Sequence, residues 1–209
     1  MAIAFGSRHY RITPQATSQR TGKADGDGTI VTRLKKTVVL VGMMGAGKTA
    51  VGTQLARQLG VPFVDTDHEI EAAAHRTIPE IFARDGEAFF RARETQVLER
   101  LLLGAPSVLS TGGGAFLAEA NRDLIRDKGV SVWLSADLET LWQRVRNRNT
   151  RPLLRTPNPR RTLADLLAAR EGIYAQARIT VPSERGTSVE RMAQRVQEAL
   201  ATHPDVMED

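Results

Sequence analysis

Lys48 and Thr49 close the run Gly42-Met43-Met44-Gly45-Ala46-Gly47-Lys48-Thr49, which fits the spacing G-x-x-x-x-G-K-[ST]. That spacing sets an ammonium and a hydroxyl where a polyphosphate and its metal ion need them. Glycines let successive backbone N–H groups turn toward an anion, and a helix that follows adds its positive end. Lys48 then reaches the β- and γ-phosphates while the Thr49 hydroxyl ligates Mg²⁺. The loop from Gly45 through Ala46, Gly47, Lys48, Thr49 and Ala50 is thus expected to bind a nucleoside triphosphate. A glycine-rich turn that binds nothing is the plain alternative.

A second group of chemistry-bearing residues follows another apolar stretch. In Asp65-Thr66-Asp67, one carboxylate can orient Mg²⁺ through its water shell and the other can accept a proton or hydrogen bond from an attacking hydroxyl. The competing reading makes Asp67 a helix N-cap. Gly112-Gly113-Gly114 offers a second close approach of backbone to ligand. Seven arginines between Arg144 and Arg161, with no carboxylate in those 18 residues, describe a segment that closes over phosphate. Arg151, before Pro152, is the candidate closing charge; Arg155, Arg160 and Arg161 read as solvated surface. Arg91 and Arg170 suggest a carboxylate acceptor, because a guanidinium fork grips that group in bidentate fashion. Taken alone, each also reads as an ordinary helical surface residue.

These residues need a scaffold that gathers them. Apolar stretches at 37–41, 62–64, 107–110, 130–134 and 178–181 read as five short buried strands. Between and after them, helical periodicity runs over 50–59, 69–75, 79–84, 88–103, from the triglycine through 125, over 137–148, 163–176 and 189–200, with an interruption near Gly86. The alternation predicts an α/β fold: a doubly wound, five-stranded parallel sheet with helices on both faces. Ligands of such sheets lie at the carboxyl ends of the strands.

The chain has 209 residues and no cysteine, which excludes disulfides and thiolate metal sites. Its four histidines lack metal-ligand spacing. No apolar run is long enough to cross a bilayer. The formal charge of +5 resides entirely in residues 1–36, and the other 173 residues carry 22 charges of each sign. A balanced core argues against nucleic acid as the main ligand. Residues 1–36 read as a flexible basic extension, with an organellar transit segment as the alternative. The remainder divides into a phosphate-loop domain over 37–201, with a mobile lid at about 149–161, and a C-terminal tail over 202–209.

The phosphate loop, Asp65-Thr66-Asp67, the segment from Ile81 to Glu87 running into Phe90-Arg91 and Glu94, Ser110-Thr111-Gly112-Gly113-Gly114, Asn149-Thr150-Arg151-Pro152-Leu153-Leu154, and Arg170 with Tyr174 occur in one order. In this the chain resembles the shikimate kinase family, over roughly residues 37–200. The resemblance implies a sheet of the nucleoside-monophosphate-kinase type and transfer of the γ-phosphoryl of ATP to the 3-hydroxyl of shikimate, a step toward chorismate and the aromatic amino acids. It implies that Lys48, Asp67 and Arg151 are catalytic, with Asp67 orienting and deprotonating the hydroxyl and Arg151 as the lid arginine. By the same resemblance Arg91 and Arg170 hold the ring carboxylate beside Gly113 and Gly114, Arg144 stacks on adenine, and Thr49 with Asp65 forms the Mg²⁺ environment. A cytoplasmic monomer without nucleic acid or membrane partners is expected. The alternatives are a kinase for an uncharged polyol such as gluconate, a nucleotide-binding regulator without transfer, and an RNA-associated ATPase using the basic extension.

Overall fold

Thr37–Val41, apolar but for Thr37, is buried at every position, as a strand must be when neighbours flank both edges and helices cover both faces. In the computed structural model, which describes residues 33–147 and 152–208 apart from the Pro152 side chain, it is the central strand of a five-stranded sheet. The elements in chain order are β1 (Arg33–Leu34), β2 (Thr37–Val41), α1 (Lys48–Leu59), β3 (Phe63–Asp65), α2 (Thr66–Ala74), α3 (Ile78–Leu102) and β4 (Val108–Ser110). A 3₁₀ turn (Ala115–Leu117) then leads to α4 (Glu119–Lys128), β5 (Gly129–Ser135), α5 (Leu138–Val145) and a second 3₁₀ turn (Pro152–Leu154). The chain ends in α6 (Pro159–Tyr174), β6 (Ile179–Pro182), α7 (Val189–Ala201) and β7 (Met207–Glu208).

The sheet order is β3-β4-β2-β5-β6, and every pairing is parallel. The register aligns Asp65 with Ser110 and Ser110 with Leu40. The segments that leave β3, β4 and β2 therefore emerge at one edge, which delivers Asp67, the triglycine and the phosphate loop to a common place. The main core packs on both faces of the sheet, and a smaller cluster of Ile70, Ile81, Phe90 and Val97 joins α2 to α3. Among the described residues no helix is long and apolar enough to cross a membrane.

The expected fold class is present, with shifts in its elements. Helix α1 starts at Lys48 rather than 50, and α2 starts at Thr66 rather than 69 because the Asp65 side chain caps it. The segments expected at 79–84 and 88–103 form one element, α3, kinked at Gly86 (φ 80°, ψ 174°). Helix α6 begins at Pro159, with Asn158 accepting a hydrogen bond from the Arg161 N–H, so the last residues assigned to the lid are a helical turn. Arg151 and its neighbours at 148–150 lie outside the described residues. Lys35 and Lys36, given to the extension, and Asp205 and Glu208, given to the tail, meet around an antiparallel pairing of β1 with β7. Leu34, Val206 and Met207 are buried there, an apolar reason for both chain segments to join the core.

Candidate active site

Helix α1 opens on Gly47 (φ 99°), a left-handed conformation that favours glycine, with no side chain capping it and no acidic residue in its first turn. The first N–H groups of a helix have no partner within it. This open positive end is the feature of the structure that fits a phosphate. Lys48 folds back over the loop, its Nζ donating to the carbonyls of Gly42 (2.8 Å) and Met43 (3.2 Å). The Thr49 hydroxyl donates to Asp65 Oδ2 at 3.2 Å and lies 3.3 Å from Ser110 Oγ. The other Asp65 oxygen accepts from the Asp67 N–H at 3.1 Å. Capping thus falls to Asp65, which leaves the Asp67 side chain in the first turn of α2 and directed into the cavity. An all-oxygen pair of hydroxyl and carboxylate matches the preference of Mg²⁺.

A cavity of about 740 Å³ extends from this loop, bounded at one end by Asp67 and Gly113 and at the other by Arg144, Ser183 and Thr187. At the Asp67 end, three consecutive glycines face the side chains of Asp67, Arg91, Arg170 and Tyr174. A methyl group at Gly112 would come within 2.7 Å of Asp67 Oδ1, and one at Gly114 within 2.7 and 2.8 Å of the two terminal nitrogens of Arg91. At Gly113 it would lie 3.9 Å from the Tyr174 hydroxyl and 4.0 Å from Arg170 Nη1. The triglycine is therefore a floor on which one carboxylate and two guanidinium groups converge; a side chain at Gly112 or Gly114 would displace its neighbour, whereas one at Gly113 would meet Tyr174 and Arg170 at ordinary contact distance.

Arg91 is fixed by two carboxylates. Its Nη1 donates to Glu94 at 2.9 Å, and its Nε and Nη2 donate to Glu87 at 3.3 and 3.2 Å. Burial works against the Arg91 charge, and the bonds from Glu94 and Glu87 outweigh it, raising its pKa. Glu94 is 2 % exposed. Burial lifts its carboxyl above the usual range, the Arg91 bond opposes the rise, and the nearby charges of Asp67 and Glu87 add to it.

At the other end, Arg144 Nη1 donates to the carbonyls of Gly45 and Ala46 at 3.2 and 3.3 Å and to Ser183 Oγ at 2.9 Å, while Nη2 reaches the Glu184 carbonyl. Burial lowers its pKa, with the charge of Asp137 opposing. Ser183 also donates to the Ala46 carbonyl, which joins the segment after β6 to the phosphate loop. Arg160 pairs with Glu139 and Arg161 with Asp165, consistent with a surface role.

Sequence reasoning missed Ser183, the anchoring role of Glu94, and Tyr174 as a member of the floor. A signal existed for Ser183: the in-and-out alternation of β6 continues to it, making it a polar residue at an inward position.

The family model for shikimate kinase matches residues 44–201. A curated shikimate kinase of Cereibacter sphaeroides is 66 % identical over 193 residues, covering 92 % of this chain and 96 % of that protein. The chain belongs to the shikimate kinase family. The 193 aligned residues outnumber the 173 of residues 37–209, so the likeness of this shikimate kinase family member to that relative reaches into residues 1–36. Among solved structures, the shikimate kinase from Acinetobacter baumannii in complex with shikimate superposes with a TM-score of 0.75 at 41 % identity, covering 80 % of this chain and 93 % of that one. A gluconokinase from Sinorhizobium meliloti superposes with a TM-score of 0.55 at 18 % identity, covering 81 % of this chain and 94 % of that one. That second likeness is one of fold alone, so the gluconate alternative gains nothing from it. As a shikimate kinase, the protein is an ATP-dependent transferase that phosphorylates shikimate.

Proposed function

We propose that shikimate lies over the triglycine with its carboxylate gripped by Arg91 and Arg170 and its 3-hydroxyl aimed by Asp67 at the γ-phosphorus of ATP on the Gly45–Ala50 loop. What supports this reading is the convergence of Asp67, Arg170 and Arg91 on Gly112, Gly113 and Gly114 beside an uncapped helix end. An uncharged polyol would offer neither guanidinium a carboxylate to grip in bidentate fashion.

Asp67 accepts the hydroxyl proton as the new O–P bond forms and the bond from γ-phosphorus to the bridging oxygen breaks, giving shikimate 3-phosphate and ADP. Lys48, folded over its own loop in this structure, swings to the β- and γ-phosphates. Thr49 and Asp65 would hold Mg²⁺, which when bound offsets the charge of those phosphates. Arg144 stacks on the adenine, and Arg151 supplies charge from a lid at about 149–161. Gly113 and Gly114 let the acceptor ring approach the backbone. In the same reading residues 1–36 are an appended basic extension whose end, from Arg33, docks with the C-terminal segment on the kinase domain of residues 37–201, and the protein is a cytoplasmic monomer that engages neither nucleic acid nor membrane. The charge balance of residues 37–209 favours this over an RNA-associated role.

The test is Asp67→Asn, assayed by coupled ADP release with shikimate, quinate, gluconate or no acceptor. Losing a positioned base costs about 10²- to 10⁴-fold, so shikimate-dependent turnover falls by that much while ATP affinity stays within about twofold. A variant that keeps more than about a tenth of wild-type kcat sinks the assignment.

A further inference from the structure

Tyr174 follows Arg170 by one turn of α6, so the two side chains project from the same face of the helix. It is fully buried, and its ring stacks on Trp133 of β5 with centroids 6.3 Å apart and planes at 26°. This packing delivers the phenol to three elements at once. Its hydroxyl donates to the Gly113 carbonyl and lies 3.9 Å from Met43 Sδ, at the entry to the phosphate loop. It also shares the surface over Gly113 with Arg170 Nη1.

With its one proton given to Gly113, the phenol turns its remaining lone-pair density toward donors, and the adjacent donor is the Arg170 guanidinium. Burial raises the phenol pKa, and Arg170, by charge and hydrogen bonding, opposes the rise without cancelling it. The group therefore stays a neutral donor throughout the physiological range. A phenylalanine would fill the same space against Trp133 and Met43. Packing alone does not account for the hydroxyl.

We propose that Tyr174 is a positioning residue for the acceptor: its hydroxyl ties the Gly113 carbonyl to the Arg170 guanidinium, presetting the floor and the fork that receive the substrate carboxylate. This rests on the reading above that Arg170 grips that carboxylate. Without the hydroxyl, the part-buried Gly113 carbonyl, which lines the cavity, turns to solvent for its partner, and Arg170 gains rotamer freedom that binding must then remove.

The experiment is a kinetic cycle of wild type, Tyr174→Phe, Arg170→Ala and the double variant. For Tyr174→Phe the expected result is a rise in KM for shikimate of about 5- to 20-fold, with KM for ATP within about twofold of wild type and a nearly unchanged melting temperature. Since Tyr174 acts through Arg170, the two substitutions are expected to be non-additive. An unchanged shikimate KM in Tyr174→Phe, an equal rise in both KM values, or strict additivity would overturn the proposal. If Arg170→Ala leaves shikimate binding intact, the assignment of Arg170 itself has failed. A strong Arg170→Ala effect beside a silent Tyr174→Phe sinks only the role given to Tyr174.

Discussion

A carboxylate that is almost wholly buried is costly unless it is paired, and Glu94 is such a group, tied to Arg91 on the adjacent turn of α3. Arg91 faces Gly114, so the pair trades stability for a guanidinium held in one place. The pH dependence follows from the direction of the Glu94 shift. Its folded pKa is raised, so the native state holds its proton more tightly than the unfolded chain. Folding stability then falls as pH rises from about 4.3, the ordinary glutamate value, through the raised folded value. Glu94→Gln is expected to remove that loss and leave Arg91 with only Glu87. Urea unfolding at pH 4 and pH 7 would show a smaller pH difference in the variant, and its KM for shikimate would rise several-fold. A variant with an unaltered pH difference would contradict the burial argument. That Lys48, Thr49 and Asp67 would meet in one cavity was legible in the sequence, because the loop spacing and the strand order bring them together; Arg91 and Arg170 stood out only through the resemblance to the family. Glu94, Tyr174 and Ser183 were not legible, because their roles come from what they touch, and touching is a property of the packed chain.

Helix α3 carries Arg91, proposed above to grip the acceptor carboxylate, and its two halves meet at Gly86. The backbone there, at φ 80° and ψ 174°, occupies a region open essentially to glycine alone, while no heavy atom lies within 4 Å of the place a Cβ would take. Gly86→Ala therefore introduces backbone strain without a steric clash. The cost is about 1–3 kcal/mol, read as a lower urea midpoint. Because Arg91 lies in the half beyond the kink, KM for shikimate should rise while KM for ATP holds. A variant as stable as the wild type would mean that the kink can relax without glycine. The break itself was visible in the sequence, as were all five strands of the sheet, since buried parallel strands read as continuous apolar runs. Helix starts were less visible: Lys48 and Thr66 begin their helices behind a left-handed glycine and a capping aspartate, which periodicity of apolar residues does not register. The β1–β7 pairing, two residues on each side, is too short to have a period at all.

At the scale of the molecule, the site occupies the carboxyl edge of the sheet, and a cluster of charge closes the opposite edge. Arg178, just before β6, grips Asp205 with both terminal nitrogens at 2.7 Å, and Lys36, just before β2, reaches the same carboxylate at 2.9 Å. Lys35 adds bonds to the Pro204 carbonyl and to Glu208. One carboxylate thus links the start of the central strand, the start of the edge strand and the C-terminal segment. The bond from Arg178, followed by that from Lys36, holds the Asp205 carboxyl well below the usual carboxylate range. A depressed folded pKa contributes stability that is fully present above the unfolded value of about 3.9 and is lost as pH falls toward the folded value. Asp205→Asn should therefore unfold at lower urea than wild type at pH 7, and the two curves should converge as the solution is acidified below about pH 4. The cluster is exposed, so added salt should narrow the gap as well. Catalysis provides the control: with the substitution at the amino edge of the sheet, kcat and both KM values should remain at wild-type levels. A stability gap that persisted unchanged at acid pH would mean that Asp205 acts through packing of the chain ends and not through its charge.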